Sequence, residues 1–288
     1  MKIGVQIPNF TWPGGAEKLG PTLANVVKTA DKGGFEYIAV MDHFWQLGGN
    51  PELDMLEAYT ALGFIAAHTE RAKLLTVVTG ALYRFPGILA KIISTLDVLS
   101  GGRAILGVGA GWNEEESKGL GIPFPPTAVR FELLEEALQI CLQMWSENEG
   151  PYEGKHNQLG RTLNVPQALS RPHPPIMIGG GGEKKTLRFV AKYAQLCNVF
   201  DTPDIERKLT VLREHCEAEG RDYDEIEKTA YYIFNVGENG ERVGETVKRL
   251  RELADMGVQT ALGMVVDVHL IKPLEIIANE VIPVVAEF

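Results

Sequence analysis

Cysteine is scarce in this chain: Cys141, Cys197 and Cys216 are the only three among 288 residues, and no two form a C-x-x-C pair. The six histidines include neither an H-E-x-x-H signature nor a cluster with cysteine at zinc-ligand spacing. A disulfide framework is therefore excluded, and no metal centre is expected. Cys141 and Cys216 fall on the apolar faces of predicted helices and read as small buried hydrophobes. Positive charge is also in deficit, with 28 Lys and Arg against 38 Asp and Glu for a net charge of −10. No block of Lys and Arg stands out, so the footprint of a nucleic-acid binder is missing, and an anionic ligand needs a local positive site. Long hydrophobic runs are absent too: none approaches the roughly 20 residues that span a bilayer. The opening MKIGVQIPNF enters a strand-like pattern at once and leaves no room for a signal peptide, so a cytoplasmic protein with no membrane partner is expected.

What is present is ordinary globular material, 45% hydrophobic and 23% charged, enough for a sizeable core. The length suits two average domains or one α/β barrel. Apolar or β-branched runs occur at 2–8, 36–41, 74–79, 104–109, 175–179, 196–200, 229–235 and 260–266. Segments of helical spacing lie between them, at about 16–33, 54–68, 86–99, 128–146, 183–194, 203–219, 241–256 and 270–285. The 203–219 helix has Thr202 placed as N-cap, Pro203 at its first position and Gly220 just past its end. Strand then helix, eight times, with strands that are continuous apolar runs, is the pattern of parallel strands buried on both faces. A single (β/α)8 TIM barrel over 1–288 is the economical reading. A doubly wound open sheet is the alternative, but GVGAG at 107–111 is spaced G-x-G-x-G rather than G-x-G-x-x-G and follows the fourth strand. The stretch 147–174 is dense in Gly, Pro, Asn and His and breaks the alternation. It reads as an insertion between helix 4 and strand 5, placed on the ligand-binding face.

In such a barrel the chemistry sits at the C-terminal ends of the strands. The run Tyr37 to Met41 passes without a spacer into Asp42, His43, Phe44 and Trp45. Taken alone, an Asp-His pair is usually a turn cap beside a surface histidine. At a strand end, next to a flat aromatic wall, the imidazole becomes a candidate acid–base group. Other strand ends agree: Asn9, Thr79 with Gly80, Gly109 to Asn113 with Glu114, Glu115 and Glu116 behind them, and Asp201 all converge on one rim. Four consecutive glycines, Gly179 to Gly182, follow strand five before a helix begins. Glycine permits close backbone approach, and the free amides of a helix N-terminus favour an anion, so phosphate is the natural guest. Lys184 and Lys185 either add charge there or are solvated first-turn residues; no Walker-type Gly-Lys-Ser/Thr is present.

MDHF after strand two, LLTVVTGALYRFP across strand three, LSGGRAILGVGAGWNEEE through strand four, GIPFPP before the fourth helix and PIMIGGGG before the fifth resemble the luciferase-like (β/α)8 oxidoreductases. Nearly the whole chain takes part, and the similarity is strongest to the branch that uses the deazaflavin coenzyme F420. The resemblance implies that Asp42 and His43 are the catalytic pair, the histidine handling a proton while hydride passes between cofactor and substrate. It implies a non-proline cis peptide within Thr76 to Val78, at Val77–Val78, behind the cofactor ring. Thr79 then touches the ring or its polyol chain, Gly109 borders the cofactor, and Gly179, Gly180, Gly181 and Gly182 hold its phosphate. Phe44, Trp45, Trp112 and Asn113 are the candidate substrate contacts. Relatives are often dimers, so a homodimer is an open expectation.

Two departures bear on the substrate. Sugar-phosphate dehydrogenases of this branch carry a glutamate after the strand-four glycines, where this chain has Trp112. The segment AQLCN at 194–198 stands where relatives often have A-D-x-W-N, which implies one aromatic fewer in the cofactor wall. With Phe10 and Trp12 added to Phe44, Trp45 and Trp112, the pocket leans toward a small apolar or aromatic organic substrate. Three hypotheses follow: a coenzyme F420-dependent oxidoreductase, an FMN-dependent monooxygenase on the same frame, and an inert barrel that binds a phosphorylated ligand.

Overall fold

The computed structural model describes residues 1–48 and 50–288. Strands β1 (Lys2–Ile7), β2 (Tyr37–Val40), β3 (Lys73–Thr76), β4 (Thr79–Gly80), β5 (Ala104–Gly109), β8 (Ile176–Gly179), β9 (Leu196–Phe200), β10 (Glu227–Tyr231) and β11 (Thr260–Met264) form one parallel sheet. β3 and β4 are two pieces of one staggered strand, both paired with β5, and β1 pairs with β11, so eight strands close into a ring. This is the expected TIM barrel. The break in the third strand falls at Val77–Val78, whose peptide bond is cis as the resemblance implied.

Alternation along each strand divides the apolar residues into two bodies. Tyr37, Ala39, Leu75, Ile105, Met177 and Leu262 point inward and fill the barrel. Their neighbours Ile38, Val40, Leu74, Leu106 and Ile178 point outward and pack against the helices. The N-terminal mouth is closed by Glu227, whose carboxylate accepts from the hydroxyls of Tyr37 (2.8 Å) and Thr260 (2.5 Å) and from Lys2 Nζ (2.9 Å). Ligand access is thereby confined to the other end.

The principal helices are α1 (Ala16–Lys32), α2 (Ala58–Ala66), α3 (Pro86–Ser100), α5 (Thr127–Met144), α6 (Thr186–Tyr193), α7 (Ile205–Glu219), α8 (Val243–Asp255) and, after a short 3₁₀ turn, α9 (Lys272–Ile276) continuing through a π turn into α10 (Ile282–Val285). α7 corrects the sequence expectation at its start: Asp204 rather than Thr202 is the cap residue, because the Thr202 hydroxyl pairs with the Asp204 carboxylate at 2.7 Å instead of capping an amide. Gly220 ends the helix in the left-handed region as expected. α4 (Glu114–Gly119) is an unforeseen short helix directly after β5. No helix among the described residues is long and apolar enough to cross a membrane.

The 147–174 stretch is not structureless. It contains the antiparallel pair β6 (Tyr152–Glu153) and β7 (Gln158–Leu159). Glu136 of α5 accepts the amides of Lys155, His156 and Asn157, and Asp97 of α3 accepts those of Leu169 and Ser170. Its placement also differs from expectation: a helix-to-strand connection in a β/α repeat runs at the N-terminal end of the barrel, and the Asp97 anchor in the last turns of α3 lies there. Only the hairpin turn, through His156 and Asn157, reaches a cavity of about 400 Å³ shared with Tyr83 and Arg84.

The register around the strand-three break depends on close backbone approach. A Cβ at Gly107 stands 1.8 Å from the Thr76 carbonyl oxygen, and Gly107's own carbonyl accepts from the Thr76 hydroxyl at 2.8 Å. Gly107→Ala is therefore expected to destabilise the barrel by at least about 1–3 kcal/mol, read as a lowered denaturation midpoint; a wild-type midpoint contradicts this account.

Candidate active site

Asp42 and His43 leave β2 at the C-terminal rim, both buried. They do not bond to each other and belong to two separate networks. Asp42 Oδ2 accepts from the Thr79 hydroxyl and from Arg84 Nη1 at 2.5 Å, and Oδ1 accepts from Arg84 Nη2 at 3.0 Å. The same guanidinium reaches Glu57 Oε1 at 2.6 Å and lies 4.6 Å from the Tyr59 ring. Glu57 in turn caps α2 by accepting the amides of Tyr59 and Thr60. Burial disfavours the Arg84 charge, but Asp42 and Glu57 outweigh it and raise its pKa. The implied Asp42–His43 pair is therefore not a hydrogen-bonded one: the carboxylate pins Arg84 and Thr79 behind the site.

His43 meets a different acid. Glu116, third in the Glu114–Glu115–Glu116 run and fully buried in α4, places Oε2 at 2.9 Å from His43 Nδ1. Oε2 also accepts from the Tyr83 hydroxyl at 2.9 Å, while Oε1 accepts the amides of Phe44 (2.7 Å) and Trp45 (2.9 Å). Burial alone raises the Glu116 pKa, yet the hydrogen bonds from His43, Trp45 and Phe44 win and hold it below the ordinary value. Burial and the neighbouring Glu116 charge push the Tyr83 hydroxyl well upward, so it remains a donor. Helix-face arithmetic explains the arrangement. The Asn113 side chain caps α4 by accepting the Glu116 amide at 3.2 Å, and the capped turn directs Glu116 inward while Glu114 and Glu115 stay exposed.

The cavity over the rim holds about 370 Å³. Its floor is formed by Val77, Val78, Gln6, Asn198 and Tyr231, and His43, Tyr83, Trp112, Gly179 and Gly180 also line it. Gln6 Nε2 donates to the Val77 carbonyl at 2.9 Å, and Tyr231 donates to Gln6 Oε1 at 2.7 Å, so a two-step chain from β10 through β1 fixes the strand-three break. Burial pushes the Tyr231 hydroxyl up to about 12. The Val78 side chain occupies space left by two glycines: a Cβ at Gly179 stands 2.8 Å from it and one at Gly109 stands 3.0 Å away. Thr79 lines the cavity but spends its hydroxyl on Asp42. Among the described residues the wall holds no lysine, arginine or carboxylate, and His43 is its one imidazole.

Trp112, 64% exposed, stands edge-on to His43 with centroids 5.6 Å apart. Phe44 and Trp45 lie outside the cavity wall: Phe44 packs edge-on against Tyr83 at 5.4 Å, and Trp45 packs over Gly119. Asn113 is likewise a helix cap outside the wall. The substitution in AQLCN does not thin the wall. Cys197 is buried in the helix-facing core, while the next residue, Asn198, and Phe200 face the cavity, as strand alternation requires. In the glycine loop the Gly180 amide bonds to the Asn198 carbonyl at 2.9 Å, whereas the Gly181 and Gly182 amides donate to no acceptor among the described residues. α6 starts three residues later than expected. Lys185 lies 5.3 Å from the Phe131 ring, and Lys208, whose Cε stands 3.5 Å from a Cβ placed at Gly181, is paired with Glu183 (2.7 Å) and Asp204 (3.1 Å).

Sequence reasoning put Glu116 at the rim without singling it out, and missed Tyr83, Arg84, Gln6 and Tyr231. Tyr83 and Arg84 lay inside a quoted motif, and Glu116 inside a quoted acidic run; no local signal distinguished it from Glu114 or Glu115. Gln6 and Tyr231 sit in strands remote from every motif, and only barrel closure joins them.

An imidazole held by a buried carboxylate at the C-terminal mouth of a parallel barrel is the layout of a barrel enzyme. Residues 1–264 match the luciferase-like monooxygenase family, and the chain belongs to that family. Over 228 residues it is 33% identical to the F420-dependent glucose-6-phosphate dehydrogenase of Kineococcus radiotolerans, covering 74% of this chain and 64% of that one. The fold matches the coenzyme F420 dependent tetrahydromethanopterin reductase of Methanopyrus kandleri with a TM-score of 0.80 at 22% identity, over 98% of both chains. It also matches a type II Baeyer-Villiger monooxygenase from Pseudomonas putida, in complex with FMN, with a TM-score of 0.78 at 16% identity over 98% of both. The chain spans 58% to 64% of the length of the curated relatives it matches first.

The Asp42–Arg84 pair gives the site its own test. Arg84→Met leaves a buried carboxylate without its cation, and a loss of about 3–5 kcal/mol in denaturant unfolding is expected. A loss below about 1 kcal/mol, the range of an exposed pair, is the contrary result.

Proposed function

We propose that this protein is a coenzyme F420-dependent oxidoreductase that transfers hydride between the deazaflavin and a small uncharged organic substrate of apolar or aromatic character. The observation that carries the reading is the single imidazole in an otherwise uncharged cavity wall. The residues present suit the cofactor. A flat ring fits over the Val77–Val78 floor, which Gln6 and Tyr231 hold rigid. The Gly181 and Gly182 amides, unengaged by protein acceptors among the described residues, suit a phosphate. When bound, coenzyme F420 supplies two-electron hydride chemistry. The protein's part is to orient, exclude water and move a proton, and His43 is placed to do the last at its cavity-facing nitrogen.

The substrate reading rests on what the wall contains. A sugar phosphate needs a cation, and Trp112 stands where the second acid of sugar-phosphate dehydrogenases belongs. An adjoining cavity of about 480 Å³ shares Met41 and Leu47 with the first, and Pro8, Asn9, Leu53 and Met264 add no charge to it. Together they suit a ligand that binds by apolar contact with one or two hydrogen bonds. An FMN-dependent monooxygenase is the second reading, favoured by the family description and by the FMN-containing structure of the same fold.

Titration with coenzyme F420 and with FMN separates the two readings: tighter binding of F420 is expected, and a preference for FMN overturns the first. Gly181→Val is expected to weaken F420 binding at least tenfold while the protein stays folded. Gly181 is the position to change because its Cβ has room, 3.5 Å from Lys208 Cε, whereas Gly180 has a φ of 117° that strains any side chain.

Screening uncharged alcohols and aromatic compounds for F420 reduction identifies a substrate, and glucose-6-phosphate is expected to give no turnover. With that substrate, His43→Ala should keep F420 affinity and lose about 10²–10⁴-fold in single-turnover rate. An undiminished rate in a folded variant returns His43 to the scaffold.

A further inference from the structure

The two nitrogens of a neutral imidazole are not equivalent, and which one carries the hydrogen is set by the partner of the other. Around His43 the partners are few. Glu116 of α4 faces Nδ1 at 2.9 Å. Tyr83, from the loop after β4, stands edge-on with centroids 6.2 Å apart and gives its hydroxyl to Glu116. Trp112 borders the ring on another side. Asp42, adjacent in the chain, is turned away and occupied by Arg84 and Thr79. An ionised carboxylate can only accept, and Glu116 already accepts from two amides and a phenol that have no alternative partner.

We infer that Glu116 is the positioning residue for His43: it fixes the neutral ring as the Nδ1–H tautomer and leaves Nε2 bare toward the cavity as the nitrogen that exchanges a proton with substrate. The catalytic clause rests on the hydride-transfer reading; the tautomer clause does not. In substrate oxidation an O–H or N–H bond of the substrate breaks and its proton forms an Nε2–H bond, while the hydride from the adjoining carbon would go to the deazaflavin of the proposed function; the resulting imidazolium is stabilised by the Glu116 charge. In reduction the same proton returns. Because the acceptor directions on Glu116 are taken by fixed partners, the carboxylate stays ionised and does not pass the proton onward, so proton exchange runs through the cavity side. The amides of Phe44 and Trp45 on Oε1 also tie α4 to the end of β2, which locks the imidazole against rotation.

The test needs neither cofactor nor substrate. In the full-length protein labelled with ¹⁵N-histidine, the His43 signals are identified by their loss in His43→Gln, and their shifts are followed with pH. The expected wild-type result is a neutral His43 protonated at Nδ1. Glu116→Gln, with its oxygen kept on the Phe44 and Trp45 amides, presents an NH2 donor to Nδ1 in place of an acceptor. The ring should then switch toward Nε2–H. A wild-type ring protonated at Nε2 overturns the inference by itself, whether or not the variant folds. So does a ring that stays Nδ1–H in a Glu116→Gln protein whose melting temperature shows it folded. Failure to bind F420 strikes the functional reading and leaves the tautomer result standing, so the two are told apart.

Discussion

One buried carboxylate holds this site together. Glu116 joins the helix after the fourth barrel strand to the residues after the second, accepting from two backbone amides, an imidazole and a phenol. Without that acceptor the partly buried amides of Phe44 and Trp45 lose their partner, and a buried unpaired donor costs about 1–3 kcal/mol. His43 then has nothing to fix its ring. The surrounding features depend on this constraint: Asn113 caps α4 so that the third acid of the run points inward, and Gly119 leaves space for the Trp45 ring.

The same device recurs through the molecule. Asp31 accepts the amides of Glu70, Arg71 and Ala72; Asp97 accepts those of Leu169 and Ser170; Glu136 accepts three from the hairpin turn. Each is a buried or nearly buried carboxylate on a helix that anchors a remote loop. Part of the acidic surplus is therefore structural, serving backbone donors that no regular element satisfies. Folding charge in this way is tolerable because several hydrogen bonds to the ionised form offset its desolvation.

Against that background the uncharged cavity wall is informative. Acids lie close behind it, yet Asp42 is paired with Arg84 and Glu116 is engaged by four partners, so among the described residues the wall carries one imidazole and no carboxylate. The floor is equally settled, since the Val77 carbonyl is held by Gln6, Gln6 by Tyr231, and Val78 sits in the space of two absent side chains. A rigid floor suits chemistry in which orientation does most of the work.

The barrel was legible in the sequence because strand and helix periods differ and each apolar run had to be buried on both faces; the rim position of His43, the break at Val77–Val78 and the Gly220 helix end followed from local pattern and family likeness. Partnerships were not legible. The sequence set Asp42 beside His43 and implied a pair, but neighbours at a strand end point to opposite sides, and the carboxylate went to Arg84 instead. It offered three consecutive glutamates, and only the rotation of a six-residue helix decided that Glu116 enters the site. It gave Phe44 and Trp45 as a wall, and packing against Tyr83 and Gly119 withdrew them from it. Spacing along a chain determines which face a residue takes within its own element. What that face meets is decided when the ring of strands closes and brings residues as distant as Gln6 and Tyr231 to 2.7 Å.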